Sequence, residues 1–274
     1  MITGRYKKIL VAIDGSESSL HALRESFTLD TKEQSWITVV CVSLPYKGDL
    51  ATTAIGNIHK ALKESCEKAL SDAERKAKEE RMLIKTVCVE GEAHEGIVDI
   101  AEAEKCDLII LGRKSISRFE RVLLGSVIVK VIGHTLCRIL IVPQDAKLSF
   151  DKILIATDGS MHSEFASDEA IALAKRYRSS LIVLSVAKKY ENLPSAKENV
   201  DMVKKVAEKE GIKVETLIRH GVPHEVIVNT AAQKDVGFIV VGSHGRTGIT
   251  KLLMGSVTER VIGRAKCAVL VWKL

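Results

Sequence analysis

Short apolar runs alternate with longer amphipathic stretches along the whole chain. Near the start, an apolar run ends at Asp14-Gly15-Ser16, and a β-branched run follows a stretch with helical periodicity. Because short runs of aliphatic and β-branched residues are typical of buried strands, the pattern predicts strands separated by helices. In the first half it predicts strands at Ile9–Ile13, Trp36–Ser43, "IKTVCVE", "DLIILG" and "RILIV", and helices near Ser18–Leu29, Asn57–Arg81, Gly96–Lys105 and Ser126–His134.

The same series of elements occurs twice. The segment "KILVAIDGS" at Lys8–Ser16 recurs as "KILIATDGS" at Lys152–Ser160. The glycine-containing segment "ILGRKSISRFERVLLGSVIVKVIG" likewise recurs as "VVGSHGRTGITKLLMGSVTERVIG". Since each copy holds a full set of strand and helix patterns, we expect two tandem domains, spanning residues 1–147 and 148–274.

Alternating strands and helices of this kind favour an α/β fold, with a parallel sheet covered by helices on both faces. Ligands of such sheets bind beyond the carboxyl ends of the strands. In each copy, Asp-Gly-Ser follows the first strand and the glycine loop follows the fourth. If these two strands are neighbours in the sheet, their loops form the walls of one crevice. The prediction is therefore two tandem Rossmann-like domains, each with a crevice.

The composition narrows the class of protein. Hydrophobic residues make up 46% of the chain and charged residues 28%, which indicates a packed globular protein rather than a disordered one. The formal net charge is +6 without a long Lys/Arg block. This charge argues weakly for nucleic acid and better for a small anionic ligand, although an ordinary mixed-charge surface also explains it.

The chain shows no targeting or membrane signal. No apolar run approaches the ~18 residues of a membrane helix, and the N-terminus lacks a signal-peptide pattern. The 6 cysteines form no Cys-x-x-Cys pair, so neither a zinc knuckle nor a thioredoxin-type motif is indicated. Most of them lie in apolar runs, where we expect buried small hydrophobic residues. We therefore expect a cytoplasmic protein that binds neither nucleic acid nor membrane.

The glycine loop of the second half has the chemistry to surround a phosphate chain. Gly242 and Gly245 can take positive φ and can let the backbone approach a ligand without a Cβ in the way. Gly255 and Ser256 open a helix, whose N-terminus offers N–H groups and partial positive charge. Ser256 and Glu259 fit a capping box. Further donors or cations come from His244, Arg246, Lys251 and the hydroxyls of Ser256 and Thr258.

Two interpretations of these loops stay open. In one, the glycines and Ser256 only shape a turn and cap a helix, and Asp158 is only a turn residue or an N-cap. In the other, Asp158 accepts hydrogen bonds from ribose hydroxyls or an adenine amino group, across the crevice from the phosphates. The coincidence of both loops at one sheet edge favours the ligand.

The A-x-D-G-S motif and the loop "VGSHGRTG…LLMGSVTERVI" resemble the universal stress protein family in its tandem two-domain form, over nearly all of both halves. The second loop matches the pattern G-x2-G-x9-G-[S/T] of the ATP-binding subgroup. The resemblance implies a five-stranded parallel sheet of order 3-2-1-4-5 in each half, and a bound ATP, ADP or AMP whose phosphates carry Mg²⁺. It implies nucleoside contacts for Ala156, Thr157, Asp158 and Val186, and phosphate contacts for Gly242, His244, Gly245, Arg246, Gly255, Ser256, Val257 and Thr258.

The first half departs from this pattern. Ser115 stands where the second half has Gly245, and a positive φ there would cost about 1 kcal/mol, with a hydroxyl added where phosphate would lie. Val129 replaces the glutamate of the capping box. If the first half binds a nucleotide, the expected residues are Asp14, Val42, Gly112, Arg113, Ser115, Gly125 and Ser126.

Three functions are compatible with these motifs. The leading hypothesis is a stress-response regulatory protein that binds an adenine nucleotide mainly in its second half. The alternatives are a nucleotide-independent dimerisation or scaffold protein, and a slow ATP hydrolase in which His244 positions water. Because no Walker motif G-x4-G-K-[ST] and no other catalytic set stands out, we do not expect a dedicated enzyme.

Two further features recur in both copies. The pairs His94-Glu95 and His224-Glu225 could bind metal, but adjacent residues do not face the same way on a helix, so polar residues at a helix start are favoured. No metal site of protein side chains is predicted. The last strands, "RILIV" and "AVLVW", would be apolar sheet edges, which the family resemblance pairs antiparallel. We therefore expect an intrachain pseudo-dimer, and a homodimer of the whole chain.

Overall fold

The structure, a computed structural model, describes residues 4–33, 35–43, 54–114, 124–245 and 254–273. In the described part of the first half, strands and helices alternate as the hydrophobic pattern predicts. They are β1 (Lys8–Ile13), α1 (Glu17–Glu33), β2 (Trp36–Ser43), α2 (Ala54–Glu79), β3 (Ile84–Glu90), α3 (Ala93–Ala103), β4 (Leu108–Arg113), α4 (Ser126–His134) and β5 (Arg138–Pro143).

The second half repeats this order and contains a 3₁₀ turn at Tyr190–Asn192. Its elements are β6 (Lys152–Ala156), α5 (Met161–Tyr177), β7 (Ser180–Ala187), α6 (Leu193–Lys209), β8 (Val214–His220), α7 (Pro223–Lys234), β9 (Phe238–Gly242), α8 (Ser256–Arg264) and β10 (Ala268–Trp272). None of the helices in the described ranges is long and apolar enough to cross a membrane.

The strands form one mixed sheet. Its order is β3-β2-β1-β4-β5-β10-β9-β6-β7-β8. Within each half all pairings are parallel, whereas β5 and β10 pair antiparallel, with Leu140 opposite Leu270. The α/β fold with two tandem domains is therefore confirmed, and the antiparallel pairing of the last strands is present within the chain.

Helices cover both faces of the sheet and bury alternate residues of each strand. In β1, Ile9, Val11 and Ile13 face one core, which includes residues of α1, α2, α5 and α6. Leu10 faces the other core, which includes residues of α3, α4, α7 and α8. Because both faces are buried, the central strands are continuous apolar runs rather than alternating ones.

Glu169 of α5 ties the two halves together in a buried polar cluster. Its side chain is 1% exposed. Oε1 accepts a hydrogen bond of 2.7 Å from the Tyr6 hydroxyl, and Oε2 accepts one of 3.1 Å from Nε of Arg138. Burial, reinforced by the neighbouring carboxylate, raises the pKa of Tyr6 well above its ordinary value, so the phenol remains a donor. Both donors belong to the first half and the acceptor to the second.

Each half also places a cation at the C-terminal end of a helix in the other half. Arg113, at the end of β4, donates from Nη2 to the carbonyl of Ala265, directly after α8, at 2.6 Å. Lys273, directly after β10, donates from Nζ to the carbonyl of Gly133 in the last turn of α4, at 2.5 Å. Helix C-termini carry partial negative charge, so both contacts are favourable in sign. They hold α4 and α8, the helices that follow the two glycine loops, against the opposite half.

The cysteines depart from the sequence-based expectation, because Cys41 and Cys66 are buried whereas Cys106, Cys137 and Cys267 are only half-buried. Cys66 of α2 and Cys88 of β3 form a disulfide, and Cys88 is exposed rather than buried. The spacing could not predict this pair, because the two residues meet only once α2 packs back on the edge of the sheet. Burial raises the pKa of the free Cys41 thiol to about 11 and that of Cys106 to about 12, so both stay protonated at neutral pH.

We predict that Glu169→Ala weakens the union of the halves. The substitution leaves the buried Tyr6 hydroxyl and the Arg138 guanidinium without their acceptor, so the free energy of unfolding should fall by about 2–3 kcal/mol, measured by urea denaturation. Glu198→Ala, at an exposed position of α6, is the control and should change it by less than about 0.5 kcal/mol. Equally small losses in both variants would contradict the anchoring role of Glu169.

Candidate functional site

A cavity of about 570 Å³ opens at the carboxyl ends of β6, β7 and β9. β6 pairs with β7 on one side and with β9 on the other, so the loops that follow these strands face one another. The N-terminal turn of α8 and one face of α6 form further walls. The crevice predicted between Asp-Gly-Ser and the glycine loop of the second half is therefore present.

Nearly all the second-half residues predicted for a nucleotide line this cavity. The exception is Arg246, which lies outside the described residues, as does Lys251. That the lining residues contact a nucleotide stays a prediction. They are Ala156, Thr157, Asp158, Val186, Gly242, His244, Gly245, Gly255, Ser256, Val257 and Thr258.

The sequence did not reveal the wall contributed by α6 and the end of β7. Asn192, Ser195, Ala196 and Asn199 line the cavity from the start of α6, and Lys188 lines it directly after β7. The α6 residues recur with helical spacing, so small and polar residues on one helix face were the available signal. That signal was weak, because such a face is also typical of a helix turned toward solvent.

The glycines of the loop are required by close packing rather than by backbone conformation. A methyl group on Gly242 would stand 2.7 Å from the carbonyl carbon of His162 in α5. One on Gly245 would stand 2.6 Å from Oδ2 of Asp158. Neither glycine is among the described residues with positive φ, so neither uses the positive φ that glycine allows. A Cβ on Gly242 would therefore collide with the backbone of α5, whereas a Cβ on Gly245 would displace the carboxylate of Asp158.

Asp158 both stabilises the turn after β6 and lines the cavity. Its Oδ1 accepts a hydrogen bond of 3.1 Å from the backbone N–H of Ser160, which fixes the turn after β6. The N-cap of α5 is Ser160 itself, whose side chain accepts from the backbone N–H of Ser163 at 3.3 Å. Asp158 Oδ2 lies 2.6 Å from the point where a Cβ on Gly245 would stand. The turn thus orients the carboxylate toward the glycine loop.

Helix α8 begins differently from the capping-box prediction. Its N-cap is Gly255, and Ser256 is already the first helical residue. No described side chain caps this end, so the predicted box of Ser256 and Glu259 is wrong. The reason is that a Ser side chain inside the first turn lies beyond the position from which it could bond back to the N–H groups. The first N–H groups of the helix are left for another acceptor.

The hydroxyl of Thr258 is used within the protein. It donates a hydrogen bond of 2.8 Å to the carbonyl of Gly242, and the residue is buried. This bond links the first turn of α8 to the end of β9. We therefore correct the expectation that the Thr258 hydroxyl donates to phosphate, while the residue itself still lines the cavity.

The first half repeats part of this geometry. Asp14 Oδ1 accepts a hydrogen bond of 3.0 Å from the backbone N–H of Ser16, as Asp158 does in the second half. Burial acts to raise the pKa of Asp14, but hydrogen bonds from Ser16 and Ser19 outweigh it and hold the pKa below its ordinary value. A methyl group on Gly112 would stand 2.3 Å from the carbonyl oxygen of Ser18. The two halves therefore share the hydrogen-bonded turn after the first strand and the close packing of the glycine that begins the glycine loop.

The rest of the predicted first-half set is only partly described. Gly125 is the N-cap of α4, which starts at Ser126, and Val42 is half-buried near the end of β2. Ser115 lies outside the described residues. These residues stay predictions.

Arg113 does not have the role predicted for it. It is 7% exposed, and its guanidinium donates to the carbonyls of Ala265 and Lys114, at 2.6 and 3.0 Å. Burial lowers its pKa below the ordinary arginine value. We therefore assign Arg113 to the interface between the halves rather than to a phosphate. Its position at a strand end did not reveal which way the long side chain would turn.

The paired histidines are structural. His224 is buried, and its Nε2 lies 3.1 Å from Nη1 of Arg264, so α7 and α8 are joined there. Burial, and then Arg264 and Arg260, lower the pKa of His224. His94 packs against His134 instead, with ring centroids 5.5 Å apart. Within the described ranges, no group of three or more His, Cys, Asp or Glu side chains could hold a metal ion.

Comparison with known proteins agrees with this fold. Universal stress protein MJ0531 of Methanocaldococcus jannaschii is 37% identical over 140 residues, which cover 45% of this chain and 82% of that protein. Universal stress protein YxiE of Bacillus subtilis is 32% identical over 145 residues, covering 44% and 98%. A universal stress protein of Archaeoglobus fulgidus has the same fold, with a TM-score of 0.79 at 23% identity, covering 97% of this chain and 98% of its own.

The family model described as "Universal stress protein family" matches residues 5–143 and again residues 149–273. Together these matches span nearly the whole chain, and each covers one five-stranded half of the sheet. The chain therefore belongs to the universal stress protein family, as two domains in tandem.

Proposed function

We propose that this chain is a stress-response regulatory protein that binds an adenine nucleotide, ATP, ADP or AMP, in the cavity of its second half. Family membership supports the stress-response role. The cavity supports the nucleotide, because it combines a helix N-terminus, glycine backbone and a carboxylate. The observation that carries the proposal is the contact of Gly245 with Asp158, since it joins the two loops into one site.

The N-terminal end of α8 would hold the phosphates. Gly255, Ser256 and Val257 line the cavity there, in the turn whose N–H groups have no partner within a helix. A helix N-terminus carries roughly half an elementary positive charge and is a common site for phosphate. Because no described side chain caps α8, the ligand would not have to displace one. Charge and hydrogen-bonding capacity both match a phosphate chain.

The walls formed by the ends of β6 and β7 would hold the nucleoside. A carboxylate can only accept hydrogen bonds, and ribose hydroxyls donate them, so Asp158 fits the sugar. Ala156, Val186 and Ile227 supply apolar surface for a flat base nearby. A cavity of about 570 Å³ is within the ordinary range for sites of small molecules.

Magnesium would reach this site with the nucleotide. Mg²⁺ keeps several waters and usually binds substrate phosphates with only one or two protein carboxylates. The described residues hold no cluster that would bind it alone. We therefore propose that the phosphates carry the ion and that α8 and the glycine loop hold the phosphates.

The second half is proposed as the main site for two reasons. In the first half, the cation predicted for phosphate, Arg113, is engaged with the carbonyl of Ala265. The first half also has Ser115 at the position of Gly245. In the second half, even a methyl group at that position would stand 2.6 Å from the Asp158 carboxylate.

Two alternative functions predict different results. A slow ATP hydrolase would turn ATP over and lose that activity in His244→Ala. A nucleotide-independent scaffold would bind its partner equally well with the cavity altered. A homodimer of the whole chain and a cytoplasmic location also stay predictions.

We predict that Gly245→Ala weakens binding of MgATP at least ~10-fold, measured by isothermal titration calorimetry. The added methyl group would meet Oδ2 of Asp158 and push the two loops apart. Glu198→Ala is the control, because this exposed residue of α6 does not line the cavity. Its dissociation constant should stay within about twofold of that of the unaltered protein.

The cause of the loss can be tested separately. In an Asp158→Ala background, Gly245→Ala should cost clearly less affinity, because the atom that its methyl group meets is gone. Unchanged binding of MgATP by the single variant Gly245→Ala would contradict the proposed site. Equal losses in both backgrounds would contradict the contact with Asp158 as the cause.

A further inference from the structure

His162, Ser243 and His244 form a hydrogen-bonded chain beside the glycine loop of the second half. Ser243 Oγ lies 3.2 Å from Nδ1 of His162 and 3.2 Å from Nδ1 of His244. The two ring centroids are 5.2 Å apart. Ser243 is fully buried, and His244 lines the cavity. One buried hydroxyl thus bridges a cavity-lining imidazole to a second imidazole on α5.

The bridging hydroxyl has one proton for two ring nitrogens. A serine hydroxyl donates once and accepts twice, whereas a neutral imidazole carries its proton on one nitrogen only. When Ser243 donates to one Nδ1, the other Nδ1 must itself carry a proton to keep its bond. One neutral ring is then the Nδ1–H tautomer and the other the Nε2–H tautomer. The protonation states of His162 and His244 are therefore linked.

The charged groups around His162 oppose a positive charge on its ring. Burial lowers the pKa of His162 most, His244 lowers it further, Asp158 acts to raise it and Lys273 lowers it again. These groups come from the loop after β9, the turn after β6 and the residue after β10. A proton on the His162 ring is therefore disfavoured. A phosphate beside His244 would supply the opposite charge and favour that proton.

The first half has different residues at the three corresponding positions. Ser18, Arg113 and Lys114 stand where the second half has His162, Ser243 and His244. Arg113 extends to the other half instead of bridging two side chains. The chain of two imidazoles and a hydroxyl is thus placed at the described cavity and is not repeated at the first glycine loop.

We propose that His162, Ser243 and His244 are a proton-sharing unit that takes up one proton from solvent when a phosphate group occupies the cavity. His162 and Ser243 are then positioning residues that act through His244. The phosphate response rests on the proposed nucleotide function, whereas the sharing of protons does not. Phosphate binding should tighten as the pH falls through the range in which the unit gains its proton.

The sharing is tested first without any ligand. Ring ¹⁵N spectra of histidine-labelled protein above pH 7.5 should show one of His162 and His244 as the Nδ1–H tautomer, with assignment from His162→Gln and His244→Gln. Ser243→Ala, which removes only the hydroxyl, should return that ring to the Nε2–H tautomer. His94→Gln in the first half is the control and should leave both signals unchanged. Two Nε2–H rings in the unaltered protein, or tautomers unaffected by Ser243→Ala, would overturn the proposal.

The phosphate response is tested with MgATP. Calorimetry in buffers of different ionisation enthalpy should show that the unaltered protein takes up protons when it binds MgATP. The number of protons taken up should be larger than in His162→Gln and larger than in Ser243→Ala. Because the residues act as one unit, the double variant of His162→Gln and Ser243→Ala should lose no more proton uptake than either single variant. In the unaltered protein, uptake of one proton corresponds to a rise in MgATP affinity of up to about tenfold for each unit by which the pH falls. Additive losses, or full uptake in Ser243→Ala, would overturn the phosphate response. No binding of MgATP at all would refute the proposed function, and the ligand-free spectra would still decide the sharing.

Discussion

The antiparallel pairing of β5 with β10 is the interaction on which the rest of the structure depends. Each half is a parallel sheet whose last strand is a buried apolar run, and a free edge of this kind would invite unwanted pairing with other chains. The pairing of these two edge strands joins the halves edge to edge into one continuous sheet. Only in this arrangement do Arg138 and Tyr6 reach Glu169, and do Arg113 and Lys273 reach helix ends across the junction.

The candidate site follows from the same parallel order. Neighbouring strands β6 and β9 bring their two loops together, and glycine lets them touch where a side chain would collide. This constraint is one of space, because backbone conformation at Gly242 and Gly245 would suit other residues as well. Thr258 then fixes the start of α8 against the end of β9. A rigid frame therefore presents a helix N-terminus and a carboxylate to one cavity, as a nucleotide site requires.

Much of this could be predicted from the sequence, because strand alternation, the duplication and loop placement are properties of local pattern. Most features that could not be predicted depend on contacts between residues that are far apart in the sequence. The sequence places Arg113 at the end of a strand beside the first glycine loop, but its guanidinium donates instead to the carbonyl of Ala265 in the other half. Cys66 and Cys88 meet only after α2 packs on the sheet. The capping box failed because Ser256 lies one residue inside the helix.

The central claim is our proposal that the two halves share a fold but that only the second half binds the nucleotide. Native mass spectrometry of the full chain with MgATP measures this most directly, because it counts bound nucleotides per chain. We predict one equivalent at saturation, and in Gly245→Ala a smaller fraction of nucleotide-bound chains at the same subsaturating concentration of MgATP. Two equivalents would contradict the division between the halves, and no equivalent in the unaltered chain would contradict the nucleotide site.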